Sequence, residues 1–286
     1  MRNFNFLVVC LMLVFLSCSK DEILIEETHL PVETQGYNML LIGNSFFKPY
    51  AEKLDDLSIL AGFENHSSTR ITRGGVNGRP INFWNDSDSN EHIQIKAALD
   101  AGNIDVFGMT AGHETEDRTE GHRSWINYAL QNNPNITIFI AIPQIDFPAD
   151  WEQRAKEYGF DTIQELYDYF VNDIVHHEIV DQLRDEFPST EIFTIPTGWT
   201  SVKLDQMNRD NELLDDIARF GPQPTSLFTD NKGHQGNIIR ETGSLLWLSS
   251  IYGVDLSTFS YEIGFNTDLH EIAKQIMDSH DSNYKL

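Results

Sequence analysis

From Met39 onward, short apolar runs alternate with longer stretches in which apolar residues recur every three or four positions. The first run, within Asn38–Phe47, is too short for a helix and stops at Gly43-Asn44-Ser45, as a buried parallel strand does when it turns into a helix. Phe47 to Ala61 then carries Tyr50, Leu54, Leu57 and Leu60 at helical spacing, with Gly62 placed to stop it. His66 to Thr72 reads as a second strand running into the glycine-rich loop Arg73-Gly74-Gly75-Val76-Asn77-Gly78. Residues 82–90 are polar and irregular, and His92 to Ala101 reads as a helix closed by Gly102. Ile104 to Thr110 is a third strand, followed by a charged loop through Arg123 and a helix at Trp125–Leu130.

Ile136 to Ile142 is the strongest strand pattern, stopped by Pro143, and 144–162 reads as loop. A long helix is expected over Ile163–Phe187, with Leu166, Phe170, Ile174, Ile179 and Leu183 on its apolar face, before a fifth strand at Glu191–Ile195. Val202–Phe220 reads as mostly helical, 221–225 as a breaker and Ser226–Phe228 as extended. Asp230-Asn231-Lys232-Gly233-His234 then leads into a helix over Gln235–Tyr252, and a last helix lies near Asp268–Ser279. Strands alternating with helices predict one α/β domain over 38–286, a three-layer α/β/α sandwich with a five-stranded parallel sheet.

The N-terminus follows another pattern. Arg2 precedes the apolar stretch Phe6–Leu16, which is too short to span a bilayer as an ordinary helix and ends at Ser17-Cys18. This resembles a bacterial lipoprotein signal over residues 1–18, with Cys18 as the lipidated residue. The position before Leu16 is Phe15 rather than the usual leucine, and an ordinary cleaved signal peptide is the competing reading. Ser19-Lys20-Asp21-Glu22 resembles the acidic export tag of surface lipoproteins, and 19–37 reads as an acidic linker. The expected location is therefore the outer membrane, reached by secretion and held by the lipid alone. The two cysteines, Cys10 and Cys18, both fall in this leader. A disulfide, a cysteine-based zinc site or a thiol nucleophile is not expected in the body.

The 286-residue chain carries a formal charge of −24, which disfavours nucleic acid and polyanions as partners. It has no GxSxG elbow or P-loop, and its glycines at 74, 75 and 78 do not form GxGxxG. Ser45, at the carboxyl end of the first strand, is a candidate nucleophile or a candidate helix N-cap. A hydroxyl nucleophile needs a base and an orienting acid. Asp230 and His234, four apart, offer both, as i,i+4 neighbours on a helix do; otherwise they are a cap and a surface histidine. Gly233 beside the histidine would let substrate approach closely.

Ile42-Gly43-Asn44-Ser45 after the first strand, together with Asp230-x-x-x-His234 before the last long helix, resembles the SGNH/GDSL hydrolase superfamily, and in particular bacterial lipoprotein-type members with GNSF and DxxGH motifs. The resemblance runs from Met39 to about Gly253. It implies a flavodoxin-like sheet, Ser45 as nucleophile, His234 as base and Asp230 as its orienting acid. It also implies an oxyanion hole built from the Ser45 amide, the amide of Gly75 in preference to Gly74, and an asparagine after the third strand. Here the chain departs from the family: the stretch reads Thr110-Ala111-Gly112-His113-Glu114, with Glu114 where the asparagine would stand. An ionised carboxylate cannot donate, so His113 is the expected third donor.

His113, Glu114, Glu116 and His122 can also be read as metal ligands, although their spacing matches no zinc pattern, and no metal or other cofactor is expected. Trp84, Trp151 and Trp199 fall in predicted loops, where they stack on sugars or pack. The implied activity is ester hydrolysis, with acetylated carbohydrate or another small ester as substrate. A non-catalytic carbohydrate-binding lipoprotein and a hydrolase of sulfate or phosphate esters are the alternatives. The sequence is silent on oligomeric state.

Overall fold

Strand β1 (Asn38–Gly43) is buried along almost its whole length, which is what a strand with neighbours on both sides and helices over both faces requires. It pairs in parallel with β2 (Ser67–Thr72) on one side and β3 (Val106–Thr110) on the other. The sheet continues through β4 (Thr137–Ala141) and β5 (Ile192–Ile195) in the order β2-β1-β3-β4-β5, all parallel. The computed structural model describes residues 34–112 and 117–286. Cys18 and residues 113–116, with the roles expected for them, lie outside these.

In chain order the helices are α1 (Lys48–Leu60), α2 (Pro80–Asn85), α3 (Asn90–Asp100), α4 (Glu120–Ala129), α5 (Trp151–Glu157), α6 (Ile163–Tyr169), α7 (Asp181–Glu186), α8 (Trp199–Arg209), α9 (Asn237–Tyr252) and α10 (Leu269–Ser279). A π-helical stretch, Phe170–Val180, joins α6 to α7. Helix α9 packs on α1 and α10, and α4 packs on α2 and α3, so the sheet is the middle of a three-layer sandwich. The layers interlock through aromatic rings. Trp247 of α9 meets Phe47 at 4.9 Å and Phe139 of β4 at 5.2 Å, both edge to face. Each such ring removed from water contributes on the order of 1.5–3 kcal/mol. Gly108 in β3 leaves the space that the Phe139 ring occupies. Upstream, Tyr37 stacks on Tyr252 at 5.1 Å and its carbonyl accepts from Ser67 N, so the chain just before β1 is docked on the fold.

The five strands stand where the hydrophobic runs predicted them. Several other segments differ. The polar stretch at 82–90 begins inside helix α2, which the sequence pattern misses because only Pro80, Ile81 and Phe83 face inward. Segment 144–162 contains α5, where Trp151 and Ala155, one turn apart, are buried. The helix expected over Val202–Phe220 ends at Arg209. Asn211 takes a left-handed φ of 60°, and the chain re-emerges as β6 (Ala218–Phe220), paired in parallel with β7 (Ser226–Phe228). The Asp215 carboxylate in this turn accepts from the backbone N–H groups of Asn266 and Thr267, both at 2.9 Å. Helix α4 starts at Glu120, ahead of the expected Trp125, because Asp117 accepts from the Thr119 and Glu120 amides at its start.

The strand order changes direction between β1 and β3: the chain runs from β1 out to the β2 edge and then crosses back to β3. Ligands of such sheets bind beyond the carboxyl ends of the strands at this switch point. The residues following β1 are Asn44 and Ser45.

Candidate active site

Ser45 occupies a turn whose shape is set by its neighbours. The Asn44 side chain accepts hydrogen bonds from the amides of Phe46 (3.0 Å) and Phe47 (3.2 Å) in the turn before α1, whose N-cap position is Phe47, so Ser45 is not the helix cap. The Ser45 hydroxyl is thereby released for another partner. It faces His234, with Oγ 2.8 Å from Nε2. The other ring nitrogen, Nδ1, lies 2.5 Å from Asp230 Oδ2. A carboxylate can only accept, so Nδ1 carries the proton and Nε2 is left to accept from the serine.

The histidine is held from several directions. Its ring stacks on Phe46 at 5.0 Å. Asp230 Oδ1 accepts from the backbone amides of Gly233 (3.0 Å) and His234 (3.2 Å), while Thr229 N donates to His234 O at 2.8 Å. Asp230 and His234 therefore meet in a closed loop. Helix α9 begins later, at Asn237, so the helical i,i+4 geometry is not how they meet. Burial alone would raise the Asp230 pKa, but the hydrogen bonds from the His234 ring and from the two amides hold it below the usual carboxylate value. The carboxylate is nearly half exposed, with 47% of its side chain accessible.

Gly233 has a structural reason other than room for substrate. Its φ is +100°, and a Cβ there would lie 2.7 Å from Gln144 Nε2 and 2.8 Å from Pro148. Gln144, buried after β4, donates to Gly233 O at 2.5 Å and accepts from Ser201 of α8. Gln235, on the far side of His234, donates to Phe46 O at 3.0 Å and closes the loop onto the Ser45 turn. Phe147, in a left-handed conformation at φ 61°, donates its N–H to Lys232 O at 3.0 Å. Arg219 of β6 in turn donates to Pro148 O at 2.7 Å and to the buried Asp205 at 2.7 Å. The strand that the sequence missed thus braces the loop beside the histidine.

The glycine-rich loop after β2 packs against the same rim. Arg73 N donates to Gly43 O at 3.1 Å, and a Cβ on Gly78 would lie 2.6 Å from Asn44 Cα. Gly75 opens a short 3-10 turn, Gly75–Gly78, at φ +56°, and the first N–H of such a turn has no partner within it. An open cleft of about 410 Å³ fronts the site, lined by Ser45, His234, Pro49, Pro222, Thr229 and Gln235. Beside it stand Lys232 and Asp146, 3.8 Å apart. Burial raises the Asp146 pKa, and the nearby charges of Lys232, Arg154, His234 and Arg79 offset that only in part.

The structure therefore brings Ser45, Asp230, His234 and Gly75 to one rim, while the position of His113 lies outside the described residues. His122 is buried against the Thr110 carbonyl at 3.2 Å, and among the described residues no group of three or more His, Cys, Asp or Glu side chains is arranged to hold a metal ion. The three tryptophans expected in loops stand in helices instead, Trp84 in α2, Trp151 at the start of α5 and Trp199 at the start of α8, and each ring packs on another ring of the fold. Trp151 is 1% exposed and bonds Ile145 O, and Trp84 meets Trp125 edge to face at 4.9 Å. Trp199 packs edge to face on Tyr167. Sequence reasoning missed Gln144, Asp146, Phe46, Gln235 and Lys232. Three of these adjoin a motif residue directly or at one remove, which was the available signal.

No family model matches the sequence, and no curated protein matches it. Among solved structures, a DUF4886 family protein from Bacteroides uniformis ATCC 8492 superposes with a TM-score of 0.52 at 14% identity, over 85% of this chain and 93% of its own. The likeness is one of fold. The periplasmic domain of a lipopolysaccharide acetyltransferase from Salmonella ser. Paratyphi A matches with a TM-score of 0.34 at 14% identity, over 56% of this chain and 66% of its own length. Among the described residues no helix is long and apolar enough to cross a membrane.

Proposed function

We propose that this chain is a serine hydrolase of ester bonds, of the SGNH type, with acetylated carbohydrate as its substrate class. The observation that carries the reading is the unbroken hydrogen-bonded relay from Ser45 Oγ through the His234 ring to Asp230. In the reaction Ser45 Oγ bonds to the ester carbonyl carbon as its proton passes to His234 Nε2, and the carbonyl π electrons move onto oxygen. The oxyanion is met by the Ser45 and Gly75 amides. Collapse expels the alcohol, which leaves with the proton from His234. Water, deprotonated by the same nitrogen, then releases the acid and restores the serine. Asp230 keeps the ring in the required tautomer and stabilises the imidazolium.

The open cleft and its polar rim suit a sugar bearing a short acyl group better than a long chain, which would need an apolar tunnel. The test is release of free acetate from acetylated oligosaccharides, run beside sulfated oligosaccharides with free sulfate as readout and with Ser45→Ala as control. Acetate release that Ser45→Ala abolishes is the expected result. Sulfate release instead, or release that Ser45→Ala retains, would overturn the assignment. We further propose that the chain is anchored at the outer membrane through Cys18. Incorporation of labelled palmitate should be lost in Cys18→Ala, and its persistence would refute the anchor.

A further inference from the structure

A carbonyl oxygen that becomes negative during attack needs donors placed beforehand, since donors that must reorganise add to the barrier. Two backbone amides are offered above. A third group stands close to the second of them. Lys232 lies two residues before His234 on the closed loop, and its ammonium lies 3.4 Å from where a Cβ on Gly75 would sit. It also stands 5.8 Å from the centre of the Phe46 ring. Gly75 and Phe46 belong to the two segments that flank the Ser45 hydroxyl: one is the loop after β2, the other the residue next in sequence. The ammonium therefore lies close to the oxyanion glycine and beside the ring that stacks on His234.

This is not the setting of an ordinary surface lysine. Its backbone is pinned by the bond from Phe147 N to Lys232 O, and the next residue is locked by its left-handed φ and by Gln144. Two-thirds of the side chain is covered. The Asp146 carboxylate stands 3.8 Å from the ammonium. An ion pair of that length at a partly open site contributes only about 0–1 kcal/mol to stability, so folding does not explain the arrangement. In a chain with 44 acidic and 20 basic residues, a cation beside the oxyanion glycine changes the local field in the direction that the reaction needs.

We propose that Lys232 is a further catalytic residue of the hydrolysis, whose ammonium donates a hydrogen bond and its charge to the oxyanion. The inference rests on the serine hydrolase reading above. As Ser45 Oγ bonds to carbon and its proton moves to His234 Nε2, the electron pair displaced from the C=O π bond comes to rest on the oxygen facing Lys232, Gly75 N–H and Ser45 N–H. The lysine keeps its three protons throughout. When the carbonyl re-forms, the pair returns to carbon, the alkoxide leaves with the proton of His234, and the lysine contact weakens.

The test uses the full chain with 4-nitrophenyl acetate as probe, comparing wild type with Lys232→Met and Lys232→Arg. Lys232→Met should lower kcat by about 10²–10³-fold with KM nearly unchanged, as loss of one oxyanion donor does. Lys232→Arg, which keeps charge and donors, should recover part of the loss, with thermal melting unchanged in both variants. A kcat within about twofold of wild type in Lys232→Met would overturn the proposal, as would a raised KM at constant kcat, which assigns the lysine to ground-state binding. Ser45-dependent turnover by the wild type separates the two levels: its presence with an indifferent Lys232→Met removes only the lysine's role, and its absence removes the hydrolase reading as well.

Discussion

His234 Nε2 stands 2.8 Å from the Ser45 hydroxyl although 189 residues separate them in the chain. The two meet because β1 is central in the sheet and the loop before α9 returns to its carboxyl end, where Gln235 ties the loop to Phe46 O. The Asp230 carboxylate on the far side of the ring sets its tautomer.

Replacing Asp230 with asparagine removes the acceptor that fixes the proton on Nδ1. Turnover should fall by about 10³–10⁴-fold with little change in melting temperature, since the residue is exposed. Steady-state kinetics beside a thermal melt check it. The depressed pKa of Asp230 implies that this carboxylate stays ionised in mild acid, so an acid-side loss of activity above the usual carboxylate range must come from another group.

Gly233→Ala tests the loop that carries the histidine. A Cβ at φ +100° is strained, and it would lie against Gln144 and Pro148. The variant should lose about 1–3 kcal/mol of stability and most of its turnover. Chemical denaturation and activity should move together; unchanged activity would mean that the loop tolerates displacement of His234.

Gln144→Ala should separate the two effects. It leaves Gly233 O and the Ser201 hydroxyl without their partner, at a cost of about 1–3 kcal/mol, and it loosens the loop without adding bulk. Slower turnover at a temperature where the fold is intact is the expected outcome. It is read by comparing kcat with near-ultraviolet dichroism.

Much of this was legible in the sequence, and for physical reasons. Buried parallel strands read as continuous apolar runs, so β1, β3, β4 and β5 stand out, and two short motifs mark their loops. The long helix even carries its irregularity in the sequence: its apolar positions Leu166, Phe170, Ile174, Ile179 and Leu183 step by four, four, five and four, and the wider step falls within the π-helical stretch. What escaped were features made by tertiary contact. β6 is three residues long and, among the described residues, pairs only with β7, so it shows no periodicity. Trp151 looks like a loop residue until Phe228 and the Ile145 carbonyl enclose it. Lys232 and Gln144 gain meaning only when the loops after β4 and β7 close on each other.

A separate prediction concerns the far side of the sheet. Thr194 Oγ1 lies 3.0 Å from His176 Nε2 and 2.9 Å from His280 Nε2, and His176 stacks on Tyr284 at 3.7 Å. Burial first, and neighbouring positive charge second, push His176 down to about 3 and His280 down to about 4. In the unfolded chain both titrate near the ordinary histidine value of about 6.5. The unfolded state therefore binds more protons below that value, and the stabilisation present above it is lost as pH falls toward the folded pKa values. Each histidine should contribute a slope of about 1.4 kcal/mol per pH unit in that window. Denaturant unfolding across the range should show the fall, and His176→Phe, which keeps the ring stack on Tyr284, should make it shallower.

The central claim is that Ser45 is a nucleophile activated by His234. The most direct measurement is intact-protein and peptide mass spectrometry after treatment with a fluorophosphonate, which traps an activated serine as a stable adduct. The account predicts one adduct per chain, located on Ser45, absent from Ser45→Ala and strongly slowed in His234→Ala. Failure of the wild-type protein to react at neutral or mildly alkaline pH, or an adduct on Ser45 that forms equally fast without His234, would contradict it.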